Sequence, residues 1–182
     1  MQSFVALIKG INVGGKNIIP MKDLKMIFQK LGLQNVMTYI QSGNVIFQSS
    51  NINLSELNGQ ITDEIKKSFG IEVQTFLLTK VEFKIAIEAN PFPKADKSPK
   101  SLHLYFLDRK PHNPNKTLML DVKKEGEDFK LIDNVCYFYA PEGIGKSKLA
   151  SKVEKLLGVS ATARNWRTVN EIFMLLNKLY NS

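Results

Sequence analysis

Three short runs carry the residues best suited to chemistry. Lys9-Gly-Ile-Asn-Val-Gly-Gly-Lys-Asn17 is the densest glycine cluster of the chain, and it places Lys9, Asn12, Lys16 and Asn17 beside Gly10, Gly14 and Gly15. Glycines let a backbone present its N–H groups in a cradle, and ammonium groups beside such a cradle suit a phosphate or carboxylate. The same glycines also fit a loop that simply needs positive φ angles. Gln41-Ser-Gly-Asn44 adds Gln41, Ser42 and Asn44, which are ordinary turn residues unless the fold brings them to the first run. The third run is Arg164-Asn165-Trp166-Arg167, which holds two of the three arginines and the only tryptophan. If it is extended, Arg164 and Trp166 project to one side and can stack, and forked guanidiniums beside an indole suit a phosphate or a base. The competing structure is a tryptophan that plugs a junction while the arginines cap carbonyls.

Other constellations fall short. Ala140-Pro-Glu-Gly-Ile-Gly-Lys-Ser147 fits a permissive phosphate-loop pattern. However, alanine replaces its first glycine and the proline lacks an N–H, so a turn with Ser147 as helix cap is the better reading. The Gly10–Gly15 cluster is not a dinucleotide fingerprint. His103, His112 and Cys136 have no metal-ligand spacing, so no metal and no cofactor is expected. No Ser–His–Asp or Cys–His arrangement stands out. His103 with Tyr105, and Tyr137 with Tyr139, alternate along two strands, as in a base-stacking sheet face, but the RNA-recognition consensus is missing.

The chain of 182 residues can bury a real core as one large domain or two small ones. A single cysteine excludes an internal disulfide and a thiolate cage. The opening apolar run, Phe4–Ile8, is too short for a signal peptide and no later run could span a bilayer, so a cytoplasmic protein without a membrane partner is expected. The net charge of +8 is almost all lysine and is spread along the chain. That pattern fits a solvated surface as well as a nucleic-acid footprint.

The elements that must position these runs follow from periodicity. Phe4–Lys9 is a strand, and Pro20–Gly32 a helix with Leu24, Ile27, Phe28 and Leu31 on one stripe. Val36–Ile40 and Val45–Phe47 form a hairpin. A helix capped at Asn53 runs to Gly70, Val73–Leu78 is a strand, and Thr79-x-x-Glu82 opens a further helix. After a proline-rich linker the order recurs: strand Leu102–Leu107, a helix capped at Asn113-Pro114, hairpin Phe129–Ile132 with Val135–Ala140, helix Ser147–Leu157, strand Ala161–Trp166, and a helix from a second box at Thr168-x-x-Glu171. Both halves therefore read βαββαβ plus a helix. The expected class is α+β: two tandem ferredoxin-like plaits, each with an added terminal helix, packed together. The first unit is 1–90, the linker 91–100, and the second unit, with the C-terminal helix, 101–182.

That topology sends the first glycine run and the Gln41–Asn44 turn out of the same end of one sheet. Ile8-Lys-Gly-Ile-Asn-Val-Gly-Gly-Lys16, Tyr39-Ile-Gln-Ser-Gly-Asn-Val45 and Ala161-Thr-Ala-Arg-Asn-Trp-Arg-Thr168 together resemble the bacterial family called domain of unknown function 1697. The resemblance implies a duplicated plait and carries no activity with it. The expected function is a cytosolic protein binding an anionic partner, a phosphate-bearing small molecule or nucleic acid, in a basic cleft between the halves. The expected ligand-binding residues are Lys9, Asn12, Gly14, Gly15, Lys16, Gln41, Ser42, Asn44, Arg164, Asn165, Trp166 and Arg167. The alternatives are a metal-free enzyme acting on a small phosphorylated or carboxylated metabolite, and a protein-interaction module.

Overall fold

The apolar run near the start becomes a strand whose residues are buried on both faces. In the computed structural model, which describes residues 1–179, β1 (Gln2–Ile8) has Phe4, Ala6 and Ile8 turned to one side and Val5 and Leu7 to the other, all essentially inaccessible. Such a strand must lie inside a sheet. It pairs antiparallel with β3 (Asn44–Ser49) and with β4 (Thr75–Thr79), and β2 (Gln34–Tyr39) pairs with β3, giving the order β2-β3-β1-β4.

Two helices cover one face. Helix α1 (Met21–Lys30) points Leu24, Ile27 and Phe28 inward. Helix α2 (Leu54–Phe69) does the same with Leu57, Ile61 and Ile65. The Asn53 side chain accepts from the Glu56 N–H at 3.2 Å and Gly70 closes α2 in the left-handed conformation, as their residue types require. Phe47 anchors this core, its ring 5.5 Å from Phe4 and 5.3 Å from Phe28. Helix α3 (Lys80–Glu88) follows β4 through a complete capping box, in which the Glu82 N–H donates to Thr79 Oγ1 and the Thr79 N–H to Glu82 Oε2.

The second sheet repeats the pattern, with β5 (Leu102–Leu107), β6 (Asp128–Ile132), β7 (Val135–Tyr139) and β8 (Ala161–Asn165) in the order β6-β7-β5-β8. Its pairs are also antiparallel. Helices α4 (Lys116–Val122) and α5 (Val153–Leu157) pack Met119, Val153, Leu156 and Leu157 against Tyr105, Cys136 and Phe138. The fold is thus mixed α+β, with two four-stranded antiparallel sheets in matching order.

Several boundaries move from where the sequence put them. Asn115, not Asn113-Pro114, caps α4, accepting from the Leu118 N–H at 3.0 Å. Ser147–Leu157 is not one helix. Ser147 turns extended, its Oγ accepts from the Ala150 N–H, and only five residues at the end are α-helical. The last helix, α6 (Trp166–Lys178), begins two residues before Thr168, because the Asn165 side chain accepts from the Thr168 N–H at 2.8 Å and serves as its cap.

The chain divides into one unit of Met1–Ile85 with the described residues from Ile172 onward, and a second of Ala86–Glu171. The final helix therefore does not belong wholly to the second unit, as the 101–182 boundary supposed, and residues 180–182 of that range lie outside the described residues. Nor is 91–100 a free tether. It belongs to the second unit, where Ala95 is fully buried, Phe92 stacks on Tyr139 at 5.7 Å, and Asp96 accepts from the Trp166 indole at 2.9 Å.

Candidate functional site

Within the first unit, the glycine run and the Gln41–Asn44 turn meet. β1 ends where the turn begins, with Leu7 opposite Asn44, and the Ile8 N–H donates to the Gly43 carbonyl at 2.8 Å. Gly43 has φ of +69°, and a Cβ there would lie 2.9 Å from Ile11 Cδ1 and 3.0 Å from Ile8 Cβ, so only glycine lets the two segments close.

The run itself folds as a small hairpin. The Asn12 N–H donates to Asn17 O, Val13 bridges to Lys16, and Gly14 and Gly15 form the tip with φ of +57° and +74°. Two successive positive φ values are what a tight two-residue reversal demands. The glycines therefore close a hairpin rather than feed directly into the start of α1. Around Gly14 and Gly15 a Cβ would meet nothing within 4 Å, so the tip is open to an approaching group. Lys16, Asn17 and Gln41 are exposed there, and Lys9 and Ser42 are half-buried.

Two of the expected ligand-binding residues are structural clamps. Asn12 Oδ1 accepts from the Ile19 N–H at 2.8 Å, while its Nδ2 donates to Ile19 O at 2.9 Å and to Met21 Sδ at 3.8 Å. Its amide is thus fully engaged in fastening the loop, so it has no donor to offer a ligand. Asn44 is inaccessible, and its Nδ2 donates to Tyr39 O and to Ser42 Oγ. What remains outward-facing is Lys16, Gln41 and the glycine tip.

The third run lies in the second unit and takes a different form. β8 stops at Asn165 and Trp166 opens α6, so the alternation that would set Arg164 and Trp166 on one side ends a residue early. The Arg164 guanidinium is buried, donating to Thr162 Oγ1 and Ala163 O at 2.8 Å each, and burial pulls its pKa down to about 10. Trp166 is buried with its indole N–H on Asp96, which leaves no ring face for a base. Asn165 is the helix cap, and only Arg167 is exposed.

The aromatic strand face is not a platform either. Leu104 stands opposite Tyr137, so Tyr137 and Tyr139 share a face with Leu102 and Leu104, whereas His103 and Tyr105 take the other side, where Tyr105 packs in the helix-covered core. Tyr137 is inaccessible, its hydroxyl donates to Ala86 O at 2.6 Å, and burial raises its pKa to about 12. Burial likewise raises the Cys136 thiol to about 12, which makes it a poor nucleophile. Among the described residues no group of three or more His, Cys, Asp and Glu side chains is placed to hold a metal ion, and no helix is long and apolar enough to cross a membrane.

Sequence reasoning passed over Val13, Ile18 and Ile40, which lie in or next to the same two loops at 63%, 66% and 52% exposure. The available signal was aliphatic residues inside a turn of Gly, Asn and Lys, where nothing local needs them.

Comparison with known proteins places the chain. The profile of the family described as "Protein of unknown function (DUF1697)" matches residues 1–137. The chain belongs to the DUF1697 family. Among solved structures, this DUF1697 protein is similar to the conserved bacterial protein SP0830 from Streptococcus pneumoniae, with a TM-score of 0.75 at 22% identity. The alignment covers 96% of this chain and 98% of that one, so the likeness extends over both sheets of the DUF1697 fold. No curated protein matches the sequence.

Proposed function

We propose that this protein is a binding module for an anionic partner, engaged at the end of the first sheet where the Gly10–Gly15 hairpin meets the Gln41–Gly43 turn. We read each unit as a ferredoxin-like plait, because the βαββαβ order with its second and third strands paired at one edge is that topology. The observation that carries the functional reading is the closure at Ile8 N–H to Gly43 O, 2.8 Å, which joins the end of β1, leading into the open glycine hairpin, to the turn that carries the exposed Gln41.

Charge supports it. Asp23 is the only carboxylate in the first 55 residues, which hold five lysines, Lys9, Lys16, Lys22, Lys25 and Lys30, the last of them paired with Glu64 at 2.6 Å. A local excess of one sign attracts its opposite over about 10 Å at ordinary ionic strength. Amide-detected NMR of the full chain, titrated with pyrophosphate and with an oligothymidylate, tests the reading. Shifts are expected at Gly14, Gly15, Lys16, Gln41 and Ser42. Oligonucleotide affinity should fall log-linearly with salt. Lys16→Glu should weaken binding on the order of 3- to 10-fold. Binding that leaves those amides unmoved, or that ignores Lys16→Glu, refutes the site.

A further inference from the structure

Ile40 stands in the left-handed region with φ of +48°. A branched Cβ is strained there, which is why asparagine, aspartate and glycine hold every other positive-φ position among the described residues. The strain is not relieved by burial, since Ile40 is 52% exposed. An exposed residue that opposes the local backbone and leaves half of its surface open points to a contact made outside the chain.

Two more aliphatic side chains flank the same sheet end. The Asn12–Asn17 backbone pair sets Val13 and Ile18 one residue to either side of the small hairpin's base, and both are more exposed than Ile40. Ile40 is in the turn whose Gly43 bonds Ile8. We infer that Val13, Ile18 and Ile40, with Lys16 among them, form a docking surface for an acidic protein segment whose carboxylates alternate with aliphatic side chains. This rests on the anion-binding reading above and names its partner class.

The chemistry separates a peptide from a nucleic acid. Base stacking uses aromatic rings or guanidinium planes. The first unit has no arginine, its Phe4, Phe28, Phe47, Phe76 and Phe83 are buried, and Phe69, Phe173 and Tyr39 are half-buried, so among its described residues no phenylalanine or tyrosine is exposed. Branched aliphatics offer no flat face to a base, but they do offer apolar area to leucine or valine. Lysine without a neighbouring carboxylate then selects the acidic version of such a segment.

The test compares fluorescein-labelled probes on the full chain by anisotropy: a short acetylated peptide alternating Glu and Leu, an all-Glu peptide of equal length, and an oligothymidylate. The alternating peptide should bind on the order of ten-fold tighter than the all-Glu peptide. Ile40→Asn relieves the strained backbone, so the melting temperature should rise by about 2–4 °C while the preference for the alternating peptide disappears. Val13→Ser should reduce that preference without changing all-Glu affinity. Equal affinity for the two peptides, unaffected by Ile40→Asn, overturns the docking inference and leaves the anion site standing. Tighter binding of oligothymidylate than of either peptide also overturns it, in favour of nucleic acid. Binding by none of these probes overturns this inference, and the pyrophosphate titration then decides the anion site by itself.

Discussion

His103 shows what a single buried group does to the whole chain. It lies at the start of β5 with Nδ1 buried and unbonded among the described residues, and burial pulls its pKa from 6.5 to about 4. The folded pKa is below the unfolded one, so the unfolded chain takes up the proton first. The stabilisation is complete above pH 6.5 and is lost as the pH falls through the window down to about 4. At 1.36 kcal/mol per unit that gap corresponds to about 3 kcal/mol. In urea unfolding at pH 7.5 and pH 4, the wild-type protein should lose about that much more stability than His103→Leu. Equal losses would mean that the ring is solvated. The sequence showed His103 alternating with Tyr105 but could not show which side of the sheet they faced. Register decides that, and register comes from pairing Leu104 with Tyr137. Gly43 was equally opaque: its type said turn, but the need for no Cβ comes from Ile8 and Ile11 in another segment.

Elements were more legible than their ends. The stripe of α1, the Asn53 cap, the Thr79–Glu82 box and the two hairpins follow from local rules, and the structure has them. Local rules misplaced the start of α6, because two caps compete there. Asn165-x-x-Thr168 prevails over Thr168-x-x-Glu171, and it does so where Trp166 is tied to Asp96, seventy positions away in the sequence. That long-range bond was invisible in a segment that reads as a proline-rich linker. A hydrogen bond to a charged acceptor contributes about 1.5–3 kcal/mol. Trp166→Phe and Asp96→Ala should each destabilise the protein, and the double variant should cost less than their sum by about 1–2 kcal/mol. Simple additivity in denaturant unfolding would show that the indole and the carboxylate are not coupled.

At the scale of the molecule, the division of the chain sets the order in which its parts can be completed. The first unit comprises Met1–Ile85 and the residues from Ile172 onward, so its last piece arrives only after all of the second unit has been made. That piece touches the first sheet, where Gln48 on β3 donates to Leu179 O at 3.5 Å, and its own Ile172 and Leu176 are fully buried. Burying an aliphatic side chain contributes about 1.5–3 kcal/mol. Several of them approach the total stability of a domain, about 5–15 kcal/mol. The second unit keeps its helix-covered core and the Trp166–Asp96 bond within 86–171, so it does not depend on this segment in the same way. Ending the chain at Glu171 should therefore unfold the first unit and spare the second. Amide NMR would show Gly14, Gly15 and Gly43 collapsing to random-coil positions, while the single tryptophan, a reporter of the second unit, keeps its blue-shifted emission. Retention of native shifts at Gly43 in the truncated chain would mean that β1–β4, α1 and α2 form a self-sufficient core, and that the returning helix segment adds little to the sheet on which the candidate site is built.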